Sequence, residues 1–149
     1  SLVGSEMCIR DRRKLDTAQR TALLFSEFDD PVKLRQRLQA LRVDADTISL
    51  CEVFCRLHST LASLREADDY VAFLEAADVL RRPARFDAFL SAYAAFEPNA
   101  NFDVLGQAAR AFVETDAGAA ARRAQGKNVA QAVRQVRLDA VKSALRICL

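Results

Sequence analysis

The segment DADTISLCEVFCRLHSTLASL brings Cys51 and Cys55 close to the one histidine of the chain, His58. Thiols and an imidazole at such spacing could ligate a soft metal, shuttle a proton or act as nucleophiles. The same positions carry a competing pattern. Leu50, Phe54, Leu57, Leu61 and Leu64 fall at helical spacing, and Ile48, Cys51 and Cys55 widen that stripe. A helix apolar over so much of its circumference lies at the centre of a bundle, so the cysteines read as buried small hydrophobes and His58 as a core or subsurface residue. Asp46 is expected to cap this helix.

Other reactive patterns are missing. There is no glycine-rich phosphate loop and no nucleophile elbow, and Asp29-Asp30 and Asp68-Asp69 read as helix caps rather than a two-metal pair. Cys8 and Cys148 add neither metal spacing nor a disulfide framework. No metal ligands and no catalytic residues are therefore assigned. No run of about eighteen apolar residues occurs, so no membrane partner is expected. Cysteine usage of this kind suits a reducing, cytoplasmic setting.

Charge is more informative. The formal net charge is +2, but residues 21–121 hold ten Lys/Arg against sixteen Asp/Glu, whereas residues 122–149 hold seven against Asp139 alone. A basic end on an acidic body suggests a polyanion partner, although a solvated helix face carries the same signature. Arg122, Arg123, Lys127, Arg134, Arg137 and Lys142 are the candidates to meet such a partner, taken as a group.

The elements that must position these groups are helices. Half of the 149 residues are apolar, with four glycines and three prolines, which favours an all-α fold. Seven or eight helices with short connections are expected. Asp16 or Thr17 caps a first, running to about Glu27. Asp30-Pro31 opens a second that buries Leu34, Leu38 and Leu41. After the central helix, Asp68 or Asp69 opens a fourth with Val71, Phe73, Leu74 and Ala77. Pro83 in RRPARF breaks the pattern, and a new helix carries Phe86, Phe89, Leu90, Tyr93 and Phe96. FEPNANFD is the clearest linker and divides a helical body (12–97) from a basic tail (98–149). In the tail, Asn101 caps a helix with Val104, Leu105, Phe112 and Val113, Asp116 begins a short Ala-rich helix that Gly126 ends, and Asn128 caps the last, with Val129, Val133, Val136 and Ala140 on its apolar side.

Three segments together resemble one family. LQALRVDADTISLCEVFCRLHSTL is similar to the stretch of bacterial CCA-adding tRNA nucleotidyltransferases, of the type with an HD domain, in which a turn leads into a long helix ending at a His. VAFLEAADVLRRPARFDAFL resembles their next helix pair, through Asp78, Arg81, Arg82, Pro83, Arg85 and Phe86. AQGKNVAQAVRQVRLDAVKSAL resembles their C-terminal signature, through Gly126, Lys127, Val129, Val133, Arg137 and Val141. The resemblance implies a helical body and tail that hold tRNA for a catalytic head lying N-terminal to this region, the head using Mg2+ with CTP and ATP. It implies a degenerate HD scaffold as well, because ALLFSEFDD places Phe25 and Ser26 where a His-Asp pair would stand. A homodimer is compatible with this reading.

SLVGSEMCIRDR fits none of it. Residues 1–11 look like translated sequencing adapter, expected to be disordered or loosely attached, and lie outside any fold reasoning. The competing functional reading is a stand-alone helical protein-interaction module built on the same HD-type scaffold.

Overall fold

The computed structural model describes residues 14–148, so the expectation attached to residues 1–11 lies outside the described residues. Among them the chain is all-α, with eight helices and no strand. The helices are α1 (Thr17–Leu24), α2 (Pro31–Ala40), α3 (Ala45–Leu61), α4 (Ala67–Ala76), α5 (Pro83–Phe96), α6 (Asp103–Glu114), α7 (Ala117–Ala124) and α8 (Val129–Cys148). They belong to two compact units that interleave along the chain. One takes the residues up to Ser63 together with Ala76–Ala100, and the other takes Leu64–Glu75 with Asn101–Leu149.

In the first unit α3 is the hub, with α1, α2 and α5 packed against it, and α1 also meets α5. Its apolar width explains this position. Ile48, Leu50, Cys51, Val53, Phe54, Cys55 and Leu57 are all buried, which leaves little of the helix for solvent. Phe54 sits among rings, 5.5 Å from Phe89 and 5.8 Å from Phe96 between centroids. Leu34 and Leu38 are buried from α2, but Leu41 is exposed, because α2 stops at Ala40 and the chain turns left-handed at Arg42. Phe96 likewise sits at the end of its helix and keeps 44 % of its surface.

Polar groups at the starts of α1, α2 and α3 are satisfied locally. Asp16 forms a capping box with Gln19: the Gln19 N–H donates to Asp16 Oδ1 at 2.8 Å and the Asp16 N–H donates to Gln19 Oε1 at 2.8 Å. The amide nitrogen of Gln19 donates onward to the Ala88 carbonyl at 3.3 Å, which fastens α1 to α5 and satisfies a buried polar side chain. α1 itself ends at Leu24, short of Glu27, and Phe25 closes it by donating back to Thr21. Asp30 caps α2 through the amides of Val32 and Lys33, with Pro31 at the first helical position. An Arg35–Glu52 ion pair links α2 to α3.

The cap of α3 is Asp44, not Asp46. Asp44 is still extended, so its carboxylate accepts from the Thr47 amide at 2.9 Å and the Thr47 hydroxyl at 2.7 Å, whereas Asp46 is already inside the first turn. The Thr47 hydroxyl, then its amide, hold the Asp44 carboxyl below its ordinary 3.8. A carboxyl whose pKa is depressed on folding stabilises the folded chain above the unfolded value and loses that contribution as pH falls through the folded one. Asp44→Ala should therefore lower the urea midpoint at about pH 6, and the gap from the parent should close as pH drops below 3.8. A gap that is constant with pH would assign the cap no role in acid stability.

In the second unit α6 and α7 both pack on α8. Small side chains on α6, Ala108 and Ala109 with Gly106, accompany Leu105 and Phe112 on its buried side, which permits close helix approach. Val113 remains exposed. On α8 the buried line is Leu138, Val141 and Leu145, while Val129, Val133, Val136 and Ala140 are only half-buried. α4 buries Ala67, Val71, Phe73 and Leu74, and Asp69 opens it by reaching back to accept from the amides of Arg65 and Glu66.

Candidate nucleic-acid interface

The groups that looked most chemical in the sequence are absorbed by packing. Cys51 is buried, and burial, with Asp44 and Glu52 nearby, pushes its thiol up to about 11, so it is neutral and unreactive near neutral pH. Cys55 donates from Sγ to the Phe28 carbonyl at 2.9 Å, and burial raises its pKa too. His58 has Nδ1 at 2.8 Å from the Phe54 carbonyl, which can only accept, so that nitrogen carries the proton. Its ring stacks on Phe54 at 5.3 Å and meets Phe96 edge-on at 5.4 Å. It is a half-buried member of an aromatic cluster. Among the described residues no group of three or more His, Cys, Asp or Glu side chains is placed to hold a metal ion.

Phe25 and Ser26, which stand where the resemblance would place a metal-binding pair, lie in the turn that closes α1. The Phe25 ring packs on Phe28 at 5.6 Å. That turn is a structural element, fixed to α3 through Cys55.

The six basic candidates all lie in the second unit, and the fold sorts them into two sets. Arg122 and Arg123 occupy the last turn of α7, where cations also offset the helix dipole. Gln125 is left-handed with φ 52°, Gly126 follows at φ 81° and Asn128 at φ 48°, so the chain reverses sharply and sets Lys127 in the same turn. Gly126 has nothing within 4 Å of where a Cβ would stand, so its role is the backbone angle and not close contact. The Arg122 guanidinium folds back beside Gly118. Arg122, Arg123 and Lys127, all exposed, form one basic corner.

Arg134, Arg137 and Lys142 do not join it as a stripe. Arg134 donates from Nε to Glu75 Oε1 at 3.1 Å, an ion pair on α4 that partly cancels its charge. Arg137 lies over the Phe112 ring, 5.1 Å from Cζ to the centroid, and is half-buried with its Nε unpartnered. At about 100° per residue, Arg137 and Lys142 stand about 140° apart around α8, on opposite flanks of its buried line. Lys142 is exposed. The residues brought together are thus Arg122, Arg123 and Lys127, with Arg134 and Arg137 serving the packing of the unit.

Sequence reasoning missed a second basic cluster in the first unit. Arg82 and Arg85 both donate to Ser49, at 2.7 and 3.0 Å. The signal was present in RRPARF, but Ser49 is thirty-three residues away in sequence from Arg82, and nothing local announces it. No helix among the described residues is long and apolar enough to cross a membrane. No protein-family model, curated protein or solved structure matches the chain.

Proposed function

We propose that this chain is the tRNA-binding C-terminal part of a CCA-adding tRNA nucleotidyltransferase, its helical body a degenerate HD-type scaffold and its tail the RNA-contacting element. The observation that carries the reading is the basic corner of Arg122, Arg123 and Lys127. Cations on rigid helices and a tight turn suit A-form RNA, which is held by shape and phosphate contacts. Nucleotidyl transfer, with Mg2+, CTP and ATP, belongs in this reading to the head of the parent enzyme, in the cytoplasm. Residues of this chain bind and orient RNA and take no chemical step. The segment resemblance supplies the identity of the RNA.

Fluorescence anisotropy with labelled tRNA tests this. Binding should be detectable at about 50 mM salt and fall by at least tenfold by about 200 mM, as expected when several phosphate contacts release counterions. Binding that ignores salt, or no binding in dilute salt, overturns it.

A second reading, a helical protein-interaction module, is favoured by three large apolar side chains in the first unit. Leu24 is 77 % exposed, Val32 64 % and Leu41 61 %. Self-association in sedimentation, without RNA affinity, would place it first; a homodimer that also binds tRNA is compatible with the first reading.

A further inference from the structure

The junction of α3 and α5 holds more positive charge than its carboxylates cancel. Arg82, the residue before α5, donates from Nη1 to Ser49 Oγ at 2.7 Å, and Arg85 donates from its own Nη1 to the same oxygen at 3.0 Å. A hydroxyl has two lone pairs and one proton. With both lone pairs taken by guanidinium N–H groups, the Ser49 proton is left to donate, and no acceptor for it is found among the described residues. That proton is available to an acceptor that approaches Ser49.

The surrounding groups specify that acceptor. Arg85 also donates to the Ala77 carbonyl at 3.0 Å, while its Nε is buried without a partner. Asp78 is engaged by Arg81, through Nε at 2.8 Å and Nη2 at 2.6 Å. Asp46 is 3.9 Å from Arg82 Nη2 and its side chain is 96 % exposed, so it neutralises little. Burial first, then the neighbouring charges of Arg82, Arg56 and Arg81, lower the pKa of Arg85 against the opposing pull of Asp78. With Asp78 held by Arg81 and Asp46 exposed, Arg82 and Arg85 are the two charges at Ser49 that no close carboxylate offsets. α5 begins at this point with Pro83 and with no side chain capping it, so the positive end of its dipole is open.

We propose that Ser49, Arg82 and Arg85 form a binding site for a dianionic phosphate group, inorganic phosphate or a terminal phosphomonoester. The Ser49 hydroxyl donates one hydrogen bond to a phosphate oxygen, Arg82 supplies a charge-assisted one from the solvent side, and Arg85 sets the Ser49 rotamer from beneath. The two guanidiniums of Arg82 and Arg85 on one hydroxyl match a dianion better than a singly charged phosphodiester. The site lies in the first unit and stands independently of RNA binding by the tail.

Isothermal titration of the full chain at low ionic strength tests it with three probes: inorganic phosphate, AMP, and a dinucleotide lacking any terminal phosphate. Phosphate and AMP should each bind saturably at one site, and the dinucleotide at least tenfold more weakly. Ser49→Ala, which removes only the hydroxyl, should weaken phosphate binding by about tenfold, and Arg82→Gln by more. Circular dichroism melts establish that both variants are folded. Unsaturable binding, affinity unchanged in both folded variants, or a dinucleotide bound as tightly as AMP would each overturn the proposal.

Discussion

If the tail binds tRNA as proposed, replacing Arg122, Arg123 and Lys127 together by glutamine should lower tRNA affinity by about a hundredfold at about 50 mM salt and flatten the salt dependence by about two to three units of log slope, close to one unit for each phosphate left without its cation. The paired change Arg134→Gln with Arg137→Gln behaves differently. Arg134 is held by Glu75 and Arg137 by the Phe112 ring, so replacing them acts on the stability of the second unit and shifts the slope by less than about one. Anisotropy titrations at several salt concentrations separate the two outcomes. Equal effects from both sets would mean that RNA follows α8 along its length, and the basic corner would lose its special place.

Phe54→Ala should destabilise the chain by about 3–5 kcal/mol, because the ring is fully buried and its neighbours on α5 cannot close the gap. Against a typical total of about 5–15 kcal/mol, that is enough to populate the unfolded state under mild conditions. The substitution also removes the ring on which His58 stacks and the edge that Phe96 meets. Phe96→Ala, at a residue 44 % exposed, costs well under half as much. Urea denaturation of both variants measures the contrast. A Phe54→Ala effect below about 1 kcal/mol would show that α3 is not the hub of its unit.

The sequence disclosed whatever local rules control. Asp16, Asp30 and Asp116 cap helices because each precedes a run whose first amides need an acceptor, and Pro83 starts one because its missing N–H costs nothing there. Between Asp44 and Asp46 the choice depended on where the chain leaves its extended conformation after the left-handed Arg42, an angle that composition does not encode. The buried line of α8 lies about 140° round the helix from the line of Val129, Val133, Val136 and Ala140 that the sequence suggests. The half-buried valines fit the helical period as well as Leu138, Val141 and Leu145 do, and only the positions of α6 and α7 decide between them.

At the candidate interface the excess of positive charge was visible, but its division was not. Lys127 and Arg137 are equivalent letters until a ring at residue 112 claims one of them. The Ser49 junction was less legible still. It depends on a hydroxyl from one helix meeting two guanidiniums from the start of another, and each residue alone is ordinary.

The interleaving of the two units has a consequence for the birth of the chain. Residues 64–75 leave the ribosome ahead of the 101–149 segment with which they form a unit. At about 5–20 residues per second, translation keeps them waiting roughly 4 to 15 s for the last of it. Through that interval Val71, Phe73 and Leu74, all buried at the end, have no finished unit to enter. A nascent chain in that condition is the natural client of a ribosome-associated chaperone, and slowing translation after residue 100 would lengthen its exposure.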